Sequence, residues 1–163
     1  MIVVNTSSQD NNFELKNSDD RGAGVICKKS FKAGQVVMRG AIDEVLGVNT
    51  VHTSQIGRNA FVVPVGLMAF VNHCCNPNCG IQVNETGAHD YVAMRDLTAG
   101  EEITFDYAMQ NFCVAHFPSQ CLCGAQDCRG EIGGWQNLPQ SKREQYRGFI
   151  APYLLELDDK HTH

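Results

Sequence analysis

The stretch Phe70-Val-Asn-His-Cys-Cys-Asn-Pro-Asn-Cys79 places an amide, an imidazole, three thiols and a turn-forming Asn-Pro pair within ten residues. A buried strand rarely contains so many polar and reactive side chains. This density indicates a loop that is held in one conformation because ligands bind on both of its sides. We expect a cofactor on one side of the loop and a metal ion on the other.

The length and composition predict one globular domain. The chain has 163 residues, of which 43% are hydrophobic and 19% are charged, as is usual for a fold with a real core. We find neither a basic-then-apolar start typical of a signal peptide nor an apolar run near the roughly 20 residues that span a bilayer. We therefore expect an intracellular protein, in the nucleus or cytoplasm, without a membrane partner. The formal net charge of −5 argues against direct nucleic-acid binding and favours a basic peptide as partner.

The segment Cys121-Leu-Cys123-Gly-Ala-Gln-Asp-Cys128 is the most specific local motif. Three thiols in this Cys-x-Cys-x4-Cys spacing can reach one tetrahedral metal ion, and zinc is the metal that such ligands favour. The tetrahedron is then one ligand short, and the nearest dense supply of donors is the 70–79 stretch. The alternative is a set of reduced cysteines that bind no metal.

Short apolar segments separated by glycine-rich turns predict a mainly β fold with short helices. A helix that starts at Asn137-Leu138-Pro139 and is broken near Gly148 and Pro152 is expected at the C-terminus. The residues between 40 and 69 leave open whether they contain a helix. The predicted strands are Ile2–Val4, Phe13–Leu15, Val25–Cys27, Gln35–Met38, Val45–Val48, Phe61–Val63, Ile81–Val83 and Asp90–Met94.

Four motifs occur in a fixed order: Arg-Gly-x-Gly from Arg21, Asn-His-x-Cys-x-Pro-Asn from Asn72, Gly-Glu-Glu-Ile-Thr-Phe-Asp-Tyr ending at Tyr107, and the cysteine motif ending at Cys128. In this order the sequence resembles the SET-domain protein lysine methyltransferases with a post-SET zinc segment, over roughly residues 12–135. The resemblance implies small sheets with a knot-like threading, plus a C-terminal zinc segment and helix. It also implies an N-terminal extension (1–11), a SET domain (12–112), a zinc-binding segment (113–135) and a C-terminal helix and tail (136–163).

The resemblance also implies two ligands, S-adenosylmethionine and Zn²⁺. It assigns catalytic roles to Tyr107 and Phe105, and it makes Cys75 the fourth zinc ligand beside Cys121, Cys123 and Cys128. The family carries serine where this chain has Cys74, which puts the support of the loop in doubt. The residues expected to bind S-adenosylmethionine are Arg21, Gly22, Gly24, Asn72, His73 and Tyr107.

The function implied by the resemblance is methyl transfer to the lysine of a protein or peptide, with a histone tail as the first candidate. Phe105 occupies a position at which the family's phenylalanine leaves room for di- or trimethylation. The alternatives are an inactive SET-like peptide-binding module, a methyltransferase of a non-histone protein, and a small zinc scaffold whose motif matches are accidental. The sequence predicts no particular oligomeric state.

Overall fold

The computed structural model describes residues 8–50, 53–114 and 120–161, so the predicted strand Ile2–Val4 lies outside the described residues. The strands are β1 (Phe13–Ser18), β2 (Gly22–Cys27), β3 (Val36–Met38), β4 (Val45–Leu46), β5 (Ser54–Gly57), β6 (Ala60–Val62), β7 (Asn72–His73), β8 (Cys79–Val83), β9 (His89–Ala93) and β10 (Glu102–Phe105). The 3-10 helices are Ser8–Asn12, Gly66–Phe70, Tyr107–Met109 and Trp135–Asn137. The α-helices are α1 (Gln140–Gln145) and α2 (Tyr153–His161).

The strands form three small sheets, which confirms the predicted mainly β fold with short helices. The strand orders are β1-β2-β10-β7, β3-β9-β8 and β4-β6-β5. The predicted hairpin around Gly87 is present as β8 and β9, with Cys79 opposite Ala93 and Val83 opposite His89. All five residues of β9, the central strand of the second sheet, are buried. The knot-like threading stays a prediction.

Strand β10 brings together the parts of the chain that the four motifs occupy. It pairs antiparallel with β2, with Ile103 opposite Val25. On its other edge it pairs in parallel with β7, with Phe105 opposite His73. The glycine-containing strand, the Asn72–His73 pair and the segment that leads into Tyr107 are consequently neighbours in one sheet.

One hydrophobic core includes residues from both ends of the described chain. Phe13 and Val25 of the first sheet belong to the same cluster as Ile150 and Leu154 near the C-terminus. The C-terminal segment also continues the second sheet, since the Ile81 backbone N–H donates to the Phe149 carbonyl at 2.8 Å. A side chain at Gly80 would collide with the Phe149 side chain, so glycine permits this close contact.

The region between residues 49 and 70 contains two elements that the sequence did not predict. The polar stretch between Asn49 and Asn59 contains strand β5, which the hydrophobic pattern did not indicate. Gln55 of this strand is buried because its side chain binds the Arg58 carbonyl at 3.2 Å and the Phe112 N–H at 3.2 Å. The unassigned region contains a 3-10 helix at Gly66–Phe70.

The C-terminal helix starts later than predicted. The Asn137 side chain accepts from the Gly134 N–H at 3.3 Å and does not cap α1. Instead α1 follows Pro139, whose carbonyl accepts from the Lys142 and Arg143 N–H groups at 3.0 and 3.1 Å. The predicted break is confirmed, because α1 ends at Gln145 and α2 begins at Tyr153.

No helix among the described residues is both long enough and apolar enough to cross a lipid bilayer.

Candidate functional site

A polar cradle lies where β2, β7 and β10 meet. The Asn72 side-chain amide donates to the Ala23 carbonyl at 3.1 Å and to Glu102 Oε1 at 2.9 Å. Arg21 forms an ion pair with Glu102 Oε2 at 2.7 Å. A Cβ at Gly24 would lie 2.6 Å from Glu102 Oε1, so glycine lets the Glu102 carboxylate approach the strand without being displaced.

Gly22 contributes through its backbone conformation. Its φ is +72°, in the left-handed region that favours glycine, and a Cβ there would meet no atom within 4 Å. The structure brings four of the residues that were expected to bind the cofactor together in the first sheet, with open space beside Gly22. These residues are Arg21, Gly22, Gly24 and Asn72.

His73 faces the protein interior on the other side of β7. Its Nδ1 accepts from the Tyr107 backbone N–H at 3.1 Å, which places the ring proton of the neutral imidazole on Nε2. That nitrogen lies 3.4 Å from Cys75 Sγ. Burial lowers the pKa of His73 to about 4, although Asp106 acts in the opposite direction. Both ring nitrogens are engaged inside the protein, so the imidazole positions its neighbours and only the His73 backbone is left to contact a ligand at the cradle.

Three aromatic rings form a continuous group beside His73. Phe105 stacks on Tyr91 with ring centroids 4.8 Å apart, and it lies 5.1 Å from the Tyr107 ring. The Tyr107 hydroxyl donates to the Val71 carbonyl at 3.2 Å. Burial raises the pKa of Tyr107 to about 12. The hydroxyl therefore stays protonated at neutral pH and can act as a hydrogen-bond donor.

The four predicted cysteines lie together on the far side of the same loop. The Sγ atoms of Cys75, Cys121, Cys123 and Cys128 are all within 4.8 Å of one another, and those of Cys75 and Cys121 are 3.8 Å apart. Thiolates bound at about 2.3 Å to one tetrahedral zinc ion lie roughly 3.8 Å apart. The four thiols thus fit a zinc ion in number, chemistry and spacing.

Backbone N–H groups are directed at this cysteine cluster. The Arg129 N–H donates to Cys75 Sγ at 3.4 Å, and the Gly130 N–H donates to Cys128 Sγ at 3.4 Å. Burial raises the pKa of Cys75 to about 11 and also raises that of Cys121. Four thiolates at such distances repel one another, so they require a cation to hold them together.

Cys74, at the position where the resemblance implies serine, lies at the edge of the cysteine cluster. Burial raises the pKa of its thiol to about 11, against the lowering effect of the Asn76 backbone N–H, and the Cys123 thiol is among its neighbours. The thiol is therefore protonated at neutral pH.

Asp106 is a buried acceptor that the sequence interpretation did not single out. Its carboxylate is fully buried; Oδ1 accepts from the Ala108 N–H at 3.1 Å and so caps the 3-10 turn that holds Tyr107. Oδ2 lies 2.8 Å from Arg129 Nη1 and accepts from the Tyr146 hydroxyl at 2.9 Å. Asp106 lies within the motif that ends at Tyr107, and Arg129 directly follows the motif that ends at Cys128; these positions were the one signal in the sequence.

The C-terminal helix α1 holds the loop from outside. Lys142 Nζ donates to the Cys75 carbonyl at 3.1 Å and pairs with Asp127 at 2.8 Å. The Tyr146 hydroxyl lies 3.2 Å from the same carbonyl oxygen. The cysteine cluster, the Tyr107 turn and α1 are thus connected through a small set of buried polar contacts.

Comparison with protein families identifies one match. Residues 22–108 match the sequence model described as the SET domain. A Saccharomyces cerevisiae protein named histone-lysine N-methyltransferase, H3 lysine-4 specific, is 38% identical over 68 residues, which cover 40% of this chain and 6% of the relative. A Mus musculus protein named histone-lysine N-methyltransferase, H3 lysine-36 specific, is 38% identical over 84 residues, which cover 49% of this chain and 3% of the relative. The chain therefore spans less than a tenth of the length of these relatives.

Solved structures show the same fold. The crystal structure of KRYPTONITE in complex with mCHH DNA, an H3(1-15) peptide and SAH superposes with a TM-score of 0.60 at 26% identity, covering 74% of this chain and 29% of that chain. Arabidopsis thaliana SUVH6 in complex with SAM has a TM-score of 0.61 at 20% identity, covering 74% of this chain and 33% of that chain. The second likeness concerns the fold alone.

Proposed function

Because the chain belongs to the SET-domain family, we propose that it is a protein-lysine N-methyltransferase that uses S-adenosylmethionine and carries one structural zinc ion. The observation that carries this proposal is the arrangement around one loop: Asn72 faces the glycine strand, Cys75 faces the cysteine cluster, and His73 between them binds the backbone of Tyr107. The names of the relatives and the ligands of the similar crystal structures support the same reaction.

The cradle at the glycine strand is the proposed cofactor site. Arg21 and Glu102 place one positive and one negative charge beside Asn72, which suits the carboxylate and ammonium of an amino-acid group. Gly22 leaves open space beside the backbone, whereas Gly24 lets Glu102 and Asn72 approach the strand closely. When bound, S-adenosylmethionine supplies a methyl group on a positively charged sulfur.

The aromatic group is the proposed wall of the lysine site. A lysine must lose its proton before it attacks, yet its ordinary pKa is about 10.4. The rings of Tyr91, Phe105 and Tyr107 offer an apolar wall that disfavours the ammonium form, and a nearby cation lowers the pKa further. His73 and Asp106 do not form a general base, because Nδ1 accepts a backbone hydrogen bond and Nε2 faces Cys75. The residues of this site then act mainly through alignment, which can supply several kcal/mol.

Histone H3 is the first substrate to test, since the relatives are named for it. Their names specify two different lysines, so we assign no lysine here. The net charge of −5 favours a basic tail as partner. We also propose an intracellular location, in the nucleus or cytoplasm. The boundary between the SET domain and the zinc-binding segment is proposed to lie between residues 112 and 113.

The test uses purified protein with isotope-labelled S-adenosylmethionine, core histones and a whole-cell protein mixture. We expect label in a lysine of at least one protein, and loss of that label in Tyr107→Phe. Label in a non-histone band alone would favour the non-histone alternative. Cofactor binding without any transfer would favour the inactive module, and zinc binding without cofactor binding would favour the scaffold.

Gly24→Ala is expected to weaken cofactor binding. The new methyl group would lie 2.6 Å from Glu102 Oε1 and 3.1 Å from Asn72 Nδ2, so it displaces the two side chains that form the cradle. We expect the dissociation constant of S-adenosylhomocysteine to rise about tenfold, or about 1.4 kcal/mol, in calorimetric titration. Gly47→Ala is the matched control, because a Cβ there meets no atom within 4 Å. An unchanged constant in Gly24→Ala would contradict the cofactor assignment.

Phe105→Tyr is expected to shift the product towards monomethyl-lysine. Phe105 is 2% exposed and lies between two other rings, so an added hydroxyl must occupy space next to the amine and hold a water or the amine itself. Mass spectrometry at long reaction times should show di- or trimethyl-lysine for the wild type. Phe31→Tyr adds a hydroxyl to a different part of the core and should leave the product ratio unchanged. Wild-type product that stops at monomethyl-lysine would refute the assignment of Phe105.

A further inference from the structure

A second pocket lies behind the aromatic group, away from the cradle and the cysteine cluster. Its lining includes Gly40, Ser54, Ile56, Met68, His89, Tyr91 and Gln110. Tyr91 stacks on Phe105, and Phe105 in turn contacts Tyr107. Neither Phe105 nor Tyr107 lines the pocket, so two rings separate it from the Tyr107 hydroxyl. The pocket is thus a neighbour of the proposed lysine site and distinct from it.

His89, one of the residues that line this pocket, has an unsatisfied acceptor. The residue is 6% exposed, and its Nδ1 lies 3.2 Å from Gln110 Oε1. Because a carboxamide oxygen only accepts, the proton of the neutral ring is on Nδ1 and Nε2 carries a lone pair. Nε2 is buried and has no hydrogen-bond partner among residues 8–50, 53–114 and 120–161. Buried acceptors are usually paired in folded proteins, so a donor from outside the described chain is expected here.

The remaining lining restricts the chemistry of that donor. Ile56, Met68 and the Tyr91 ring are apolar, whereas the Ser54 hydroxyl and the Gln110 amide can donate. A hydroxyl donates one hydrogen bond and accepts others, while a methyl group on the same carbon suits the apolar walls. Burial also lowers the pKa of His89, so the ring is neutral at physiological pH and offers no charge to an anionic ligand.

We propose that this pocket is a substrate-specificity subsite that takes the threonine or serine side chain of a residue near the methylated lysine, with its hydroxyl donating to His89 Nε2. The proposal rests on the proposed function, because it assumes that a lysine peptide lies across the neighbouring aromatic group. It makes His89 a specificity-determining residue with no part in methyl transfer. A phosphorylated hydroxyl should be rejected, since a neutral ring and apolar walls cannot compensate for a buried dianion.

The experiment uses peptides with one lysine, in which each flanking position carries threonine, serine, valine, alanine or phosphothreonine in turn. Binding to the zinc-loaded protein is measured by fluorescence anisotropy with S-adenosylhomocysteine present, and methyl transfer is measured on the same peptides. Threonine and valine have nearly the same shape, so their difference isolates the hydroxyl. At one position we expect threonine to bind about tenfold more tightly than valine and phosphothreonine to bind no more tightly than valine.

His89→Phe should remove this preference, with its fold verified by circular dichroism. Equal affinity for threonine and valine at every position in the wild type overturns the proposal, and so does a preference that persists in folded His89→Phe. If His89→Phe does not fold, the wild-type comparison decides alone. Threonine preference in binding without methyl transfer supports the subsite while the proposed function fails. Methyl transfer without a threonine preference supports the proposed function while the subsite proposal fails. The absence of any peptide binding overturns both the subsite and the proposed function.

Discussion

Removal of zinc is expected to abolish methyl transfer and to disorder the segment from Cys121 to Gly130. This segment has almost no apolar anchor, since Cys121 is its one buried residue and Leu122 is 47% exposed. The link to Cys75 then depends on four sulfurs held by one cation. Structural zinc sites contribute folding free energy directly, so loss of the metal releases the segment. The same loss removes a support of His73, whose Nε2 lies 3.4 Å from Cys75 Sγ.

The measurement combines zinc analysis, methyl transfer and hydrogen exchange after treatment with a chelator. We expect amides 121–130 to lose protection and activity to fall below detection, with both restored by added zinc. Cys128→Ser should reproduce the effect. Cys113→Ser is the matched control, because Cys113 is exposed and not one of the four clustered cysteines. Full activity after verified removal of zinc would contradict the proposed role of the metal.

Arg129→Leu is expected to lower the free energy of unfolding by about 3–5 kcal/mol, the usual loss when one partner of a buried ion pair is removed. Asp106 is fully buried, and Arg129 Nη1 lies 2.8 Å from its Oδ2. Without the guanidinium, the Tyr146 hydroxyl and the Ala108 N–H are left to stabilise the carboxylate. Asp106 caps the turn of Tyr107, so we also expect kcat to fall, on the order of 100-fold for a displacement near 1 Å.

Urea unfolding in zinc-saturated buffer checks the stability, and steady-state kinetics checks the rate. Asp106→Asn combined with Arg129→Leu should lose less stability than Arg129→Leu alone, because the buried charge is removed together with its partner. Lys32→Met is a matched control at an exposed ion pair, Lys32 with Asp96, where little or no change is expected. Equal stability of wild type and Arg129→Leu would mean that the Asp106–Arg129 pair does not stabilise the fold.

The sequence predicts local features of this protein better than contacts between distant segments. Glycine and proline mark the break between α1 and α2, and short apolar segments between turns mark most strands. Strand β5 was missed because its polar residues are buried through side-chain hydrogen bonds that no hydrophobic pattern reveals. The spacing of the three late cysteines indicated that a fourth ligand comes from the 70–79 stretch, but the choice of Cys75 within that stretch followed from the family resemblance.

Ion pairs between residues that are far apart in the sequence could not be predicted, because they too are contacts between distant segments. Asp106 lies within one recognised motif and Arg129 directly after another, but their pairing depends on the path of the chain between them. A helix was correctly predicted after Asn137, but its predicted start was too early. Asn137 accepts from the Gly134 N–H and does not cap the helix. Local polar residues have several possible partners within a few positions, and tertiary packing decides among them.

The dependence of the Tyr107 turn on Tyr146, and of β8 on Phe149, has a consequence for biosynthesis. A nascent polypeptide that has emerged from the ribosome only as far as residue 112 contains every residue of the proposed cofactor and lysine sites, but not the groups that hold them in place. Contacts of such long sequence separation form late and slowly. Completion of this domain therefore awaits translation of its last helices, and until then the exposed thiols and aromatic rings are natural targets for chaperones.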